Sequence, residues 1–548
     1  MHSSTLFALN MGQRLAICLL SSTLSLASMQ QTPAEMPAAA DDLTASVMGR
    51  IVNSLTGEPV KGATVEMTCS TNYCQTETTT CLADGTFRFN RVTPGAYNFA
   101  AYAGGFVTAA DSMAANVAIA APASTLVLKL TPGATVSGRV LNAGGTPVLN
   151  ASVQALTEMH TFGVRQLVQR SRTTTDASGA YVIEGLASGQ YYILSRLEHG
   201  TGDATLAPSY SPSSATSDQT SLLLVQYGRT YSDINIYMPA AVSHRVDGTI
   251  SDVGELGPKP EIRLEPQNYL ESKVLGRQGK VSANGQFVIT GVTPGRYVLL
   301  LKTTLPISNE ISQRPGVPRI VARQDIEVGS TDVDGIILNP TSVAVWGRVS
   351  NDDGSAQGLG QARIYLRSIR GGTIKLVRSN PDGTFNLGPC DPVEYLAMIV
   401  PPPGSYVQSV QFDNHVADTR LLDLAGGSHQ LKIVVRRDGA EVKSAIKIHG
   451  SSGNQTGTDT SSSAILIPET WSPDGWAERR LVAVTDSGFD FKDVAPGVYA
   501  VIAVHNTSEL MRSAEDPEVV RMLQTLGEHI DVGPRDNKEI SIPVAVDQ

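Results

Sequence analysis

Asp84-Gly-Thr-Phe-Arg-Phe-Asn-Arg-Val-Thr-Pro-Gly-Ala-Tyr97 decides the fold, because the chain repeats it, with drift, five times. The later copies begin at Ser178, Asn284, Asp382 and Ser487 and close on Tyr191, Tyr297, Tyr395 and Tyr499. The first glycine and closing tyrosine of each copy stand 12, 12, 12, 12 and 11 residues apart. Successive tyrosines stand 94, 106, 98 and 104 apart. Repetition at such intervals marks one structural unit per copy. Asp-Gly or Asn-Gly supplies the positive φ of a tight turn. The pairs Phe87/Phe89, Tyr181/Ile183, Phe287/Ile289, Phe385/Leu387 and Phe489/Phe491 then alternate with period 2, on one face of a strand. Pro-Gly turns the chain again into a second strand. In several copies, such as Tyr297-Val-Leu-Leu-Leu, that strand is apolar on both faces, so it is expected to be central and covered.

A looser phrase precedes four of the copies: Gly49-Arg-Ile, Gly138-Arg-Val, Gly248-Thr-Ile and Gly347-Arg-Val, each inside an alternating run. Two continue into Pro59-Val-Lys-Gly-Ala-Thr-Val65 and Pro147-Val-Leu-Asn-Ala-Ser-Val153. Short strands punctuated by turns predict an all-β chain, a tandem array of about five antiparallel β-sandwiches. The expected units are 46–131, 132–240, 241–340, 341–436 and 437–548, the last without a clear opening phrase. No Ser/Gly-rich linker separates them, which favours short, stiff junctions. These phrases resemble the carboxypeptidase regulatory-like domain, a transthyretin-like seven-stranded sandwich related to the Ig-like class. That resemblance implies an extracellular or envelope role. It implies no peptidase activity, since in carboxypeptidases the sandwich accompanies a separate catalytic domain.

Composition narrows the class. Of 548 residues, 41% are hydrophobic and 17% charged, which excludes a disordered chain or a coiled coil. The 50 Gly and 30 Pro show no three-residue period, which excludes collagen. A net charge of −10 offers no basic footprint for nucleic acid. Arg14, the apolar run Leu15–Leu26 and the small residues Ser25 and Ala27 describe an export signal over 1–27, followed by a disordered linker over 28–45. No later run is long and apolar enough for a transmembrane segment. The expected location is therefore the periplasm, the outer envelope or the exterior. There, Cys69, Cys74 and Cys81 are candidates for one disulfide, with the pairing left open, and Cys390 reads as a buried apolar residue.

No constellation for catalysis emerges. No His-x-x-Glu, H-E-x-x-H or G-x-S-x-G is present, and no histidine lies near the cysteine trio to complete a zinc site. No enzyme activity, cofactor or metal is expected. Aromatics are only 5% of residues, so their positions matter. Trp471 and Trp476, in the turn-rich stretch 468–480, and Tyr210, in 207–212, are candidate ligand-binding residues, because exposed rings suit the C–H faces of sugars. Trp346, on an opening strand, reads as core. One helix is predicted: Asp516 as N-cap, Pro517 at N1, an apolar stripe of Val519, Met522, Leu523 and Leu526, and Gly527 to end it. The functional expectation is a non-catalytic exported binding protein with a polysaccharide ligand. Its alternative is a structural or adhesive spacer that contacts an envelope protein.

Overall fold

The computed structural model describes residues 45–70, 76–107, 113–120, 122–161, 164–197, 204–256, 260–304, 319–371, 374–444, 462–472, 475–476, 479–484, 488–505, 516–542 and 544–545. The expected signal (1–27), nearly all of the expected linker and Cys74 lie outside these residues. Among them, paired sheets recur five times along the chain, and only short helices interrupt the strands. In the first pair, one sheet runs in the order Thr86–Val92, Ala45–Asn53, Ala123–Pro132, Phe106–Val107. The other runs Glu77–Thr80, Thr64–Cys69, Gly95–Tyr102, Met113–Ile119. That is eight strands where seven were expected, one of them only the two-residue edge strand Phe106–Val107.

The two repeated phrases meet in space. Gly49 stands opposite Phe87, Gly138 opposite Tyr181, Gly248 opposite Phe287 and Gly347 opposite Phe385. Glycine is needed because a Cβ would strike the partner's ring at Gly49 and Gly347, and the Ile234 and Ile336 carbonyls at Gly138 and Gly248. At Gly347 a Cβ would come 2.4 Å from the Phe385 ring and 2.0 Å from the Leu431 carbonyl oxygen. In the fifth unit the same register places Ser444 opposite Phe489, which is why that opening strand does not show the phrase. The repeated tyrosine is equally specific. The hydroxyls of Tyr97, Tyr191, Tyr297 and Tyr499 donate to the carbonyl four residues back, at 2.9, 3.0, 2.9 and 2.7 Å. These bonds tie down the Pro-Gly turn or its equivalent. Tyr395 departs from the rule: its hydroxyl accepts from the Asp391 N–H at 3.0 Å.

The strand pairing departs from that of simple antiparallel neighbours. The strands of each repeated phrase do not pair with each other. Thr86–Val92 pairs with the opening strand, while Gly95–Tyr102 pairs with Thr64–Cys69 in the opposite sheet. The Pro-Gly turn is thus an arch between sheets, and Phe87, Phe89, Tyr97 and Phe99 fill one core from both sides. Nor are the sandwiches purely antiparallel. Each opening strand runs parallel to a strand late in its unit, as Ala45–Asn53 does to Ala123–Pro132 and Val343–Asn351 to Ser428–Arg436. Parallel opening and closing strands put the entry and exit of a unit at opposite ends, which suits chaining units head to tail.

The helix forms as Pro517–Leu526, with the Asp516 carboxylate accepting from the Glu518 N–H at 2.8 Å. Its buried residues are Val520 and Leu523, and Met522 and Leu526 are half or more exposed. The predicted stripe is therefore rotated by about one position toward Val520. Trp346 also departs from expectation: it is 47% exposed, on the outward face of its strand. No helix among the described residues is long and apolar enough to cross a membrane.

Candidate functional site

The strand after each Pro-Gly arch has two apolar faces, and the two faces have different jobs. In Gly295–Thr303, Leu299 and Leu301 belong to the core of the third sandwich, while Val298 and Leu300 join Ile320 in the core of the fourth. In Gly189–Arg196, Tyr191 and Ile193 fill the second core. Tyr192 and Leu194 instead pack with Leu270 and Val274 of the third unit. In Glu394–Val400, Tyr395 and Ala397 face inward and Leu396 meets Val164, which reaches over from the second unit. In Gly497–His505, Ile502 and Val504 are covered by Val520 and Leu523 of the helix. The first unit differs. Its outer face carries Asn98 and Tyr102, and Tyr102 is 42% exposed.

Charges lock the junction between the third and fourth units. The Arg370 side chain is 0% exposed. Its guanidinium donates to both Glu394 oxygens (2.8 and 3.1 Å) and to the carbonyls of Pro266 (3.2 Å) and Gln267 (2.8 Å). Glu265, 3% exposed, lies 3.6 Å from Arg370 and 3.2 Å from Lys302. Arg319 donates to Asp391 at 2.9 Å and Arg323 to Asp423 at 2.6 Å. Burial alone would raise the Glu394 carboxyl. The Arg370 fork and the nearby Arg323 charge outweigh it and hold the group below the usual carboxylate range.

The sequence-predicted aromatics are drawn into these junctions. Tyr210 is 0% exposed, packed edge-on to Tyr192 at 6.0 Å between the second and third units. It therefore offers no face to a ligand, which corrects the expectation. It is buried because its strand, Ser209–Tyr210, pairs with the two-faced strand. Trp471 is partly buried against the apolar cluster beneath the helix. Trp476 leaves its own unit: its indole N–H donates to the Ala417 carbonyl at 2.7 Å, and the ring packs on the fourth core. Beside it, a groove of about 410 Å³ separates the fourth and fifth units, with Gln408, Thr470, Glu469 and Arg480 among its polar lining. Tyr406 and Tyr499 form part of its wall. Burial, and then the Asp438 carboxylate that accepts the Tyr406 proton, pushes the Tyr406 hydroxyl up to about 12. A more polar cleft of about 940 Å³ lies between Arg165, Arg170 and Tyr191 of the second unit and Asp516, Glu518 and Arg521 of the helix.

Of the cysteines, Cys81 is a free, buried thiol. Its Sγ lies 3.1 Å from the Ala63 N–H and 3.0 Å from the Val60 carbonyl, inside the first core. That removes both expected pairings that use Cys81, because its sulfur is an unbridged thiol. Cys390 is free and buried as expected, and burial pushes its thiol up to about 11. Among the described residues, no group of three or more His, Cys, Asp or Glu could hold a metal ion.

The carboxypeptidase regulatory-like domain model matches residues 46–131 and 135–200. Two successive stretches of the chain are thus similar to carboxypeptidase regulatory-like domains, in tandem. A comparison with curated proteins finds no match. Solved structures with local likeness include the Bacillus anthracis TIE protein, at 12% identity over 72% of this chain and 68% of that one, TM-score 0.17. They also include the minor pilin GBS52 of Streptococcus agalactiae, at 12% identity over 35% and 95%, TM-score 0.22. The shaft pilin SpaA of Lactobacillus rhamnosus GG matches at 11% identity over 36% and 98%, TM-score 0.21. Scores at this level carry no argument about the whole chain.

Proposed function

We propose that this chain is a non-catalytic, exported protein of the cell envelope or exterior that serves as a stiff structural or adhesive body. The observation that carries the reading is the two-faced strand: from the second unit to the fifth, its outer apolar face docks on a neighbouring unit or on the helix. A string of independently moving modules would have no use for that second face, because exposing it to water costs about 25 cal/mol per Å². Export, and a disulfide between Cys69 and Cys74, belong to the same reading. Limited proteolysis of the full chain tests it. Resistance at 339–343 and 437–440 until global unfolding supports a stiff body; early cutting there sinks it.

A polysaccharide ligand is the second reading, favoured by the Trp476 groove with its mixed aromatic and polar wall. Titration of the full chain with a polysaccharide panel tests it. Saturable binding should weaken in Trp476→Ala while Trp471→Ala, beneath the helix, binds normally.

A further inference from the structure

We propose that the outward sheet face of the fourth sandwich, centred on Trp346, binds an acidic polysaccharide. This site is separate from the Trp476 groove and does not rest on the stiff-body reading. The strand Val343–Asn351 alternates buried and exposed, with Val343, Val345, Gly347 and Val349 inward and Ala344, Trp346 and Arg348 outward. It is not an edge: Thr384–Cys390 flanks it on one side and Ser428–Arg436 on the other. Trp346 pairs across with Asn386 on the first and Gln430 on the second. The indole, 47% exposed, is therefore an aromatic platform between two amide side chains on an interior strand of the sheet. An exposed ring face stacks on the C–H face of a sugar, and flanking amides can bond adjacent hydroxyls.

The charge on this face selects the class of sugar. Arg348 lies two residues along from Trp346, roughly 7 Å away. Its partner across the parallel pair is Lys432. Two cations directly opposite each other destabilise a sheet. Arg348 makes no side-chain hydrogen bond or ion pair among the described residues, and the Lys432 ammonium donates to the neutral Asn414 amide at 2.7 Å. The next row adds Gln411, opposite Lys432. Of the nearby carboxylates, Asp382 keeps its charge and offsets part of that of Arg348 without forming an ion pair with it. Asp382 accepts from the Thr384 N–H (2.9 Å) and hydroxyl (2.6 Å). Asp413 accepts from the Gln430 N–H at 2.9 Å and pairs with His429 at 2.7 Å. A chain with one ring on the indole brings the carboxylate of the next ring over Arg348 and Lys432. The matching ligand is a uronic-acid polymer.

The test titrates the full chain with polygalacturonate, with the same polymer fully methyl-esterified, and with polyglutamate, following Trp emission and affinity at low and high salt. The expected result is binding to polygalacturonate that weakens as salt rises. It should fall about tenfold or more in Trp346→Ala and in Arg348→Gln/Lys432→Gln, and the ester should bind more weakly. All three side chains point outward, so unchanged thermal unfolding of the variants confirms intact folding. The proposal is overturned by no binding to polygalacturonate, by unchanged affinity in Trp346→Ala, by equal affinity for the ester, or by equal affinity for polyglutamate. The last would mean charge alone.

Discussion

The tyrosine that closes each repeat does two things at once: its ring fills a core, and its hydroxyl fastens the arch four residues behind it. Tyr191→Phe keeps the ring and removes the bond to Ala187, so chemical denaturation should show a loss of about 1 kcal/mol. The glycine opposite the repeat aromatic is less forgiving. Gly347→Ala drives a methyl against the Leu431 carbonyl and the Phe385 ring. It should cost roughly 1–3 kcal/mol or more, read as a lower midpoint for the transition that includes the fourth unit. Ser444, in the corresponding place of the fifth unit, has a buried hydroxyl with no hydrogen-bond partner among the described residues. Ser444→Ala should therefore stabilise the fifth unit by about 1 kcal/mol; a destabilised variant would contradict that assignment. Turn glycines and closing tyrosines were legible in the sequence because local geometry demands them. The partnership of Gly49 with Phe87 was not, because a register between strands dozens of residues apart leaves no local trace.

At the scale of the element, the apolar run after each Pro-Gly was readable as a covered strand, but not what covers it. Periodicity reports that both faces are dry. It does not say that Leu299 meets its own core while Leu300 meets the next sandwich. The same limit explains the aromatics: turn-rich surroundings suggested exposure for Tyr210 and Trp476, yet junctions between units bury turns as well as strands. Trp346 errs the other way, since its alternating strand holds the small, inward Gly347 next to it and points the indole outward. The ionic lock makes a sharper prediction. Arg370→Met removes the fork from Glu394 and leaves it only Arg323, at 3.5 Å, while Glu265 keeps Arg263 and Lys302, so the loss should be about 1–3 kcal/mol. Amide exchange should rise at 264–267 and 369–371. The pH dependence follows from Glu394. Its pKa is lower in the folded protein than in the unfolded chain, so its contribution is fully present above the ordinary glutamate value of 4.5. It is lost as pH falls through the lower folded value. Protection at this junction should decline on acidification below that range, before the apolar cores themselves open.

For the whole molecule, the units are not a linear string. The second unit touches the third through Tyr192 and Leu194, and the fourth through Val164. The fifth rests on the fourth through Trp476, and its helix faces the second unit across the polar cleft. The number and rough spacing of the sandwiches could be counted from the repeat, since each copy is one unit. Their mutual packing could not, because it depends on which outer faces meet. The central claim is that these contacts make one stiff body. Small-angle X-ray scattering of the chain in solution tests it most directly. The account predicts a bell-shaped Kratky profile and a radius of gyration that stays constant from low to high salt at neutral pH, with expansion in Arg370→Met. A profile that rises to a plateau, or a radius already expanded in the native chain, would contradict it.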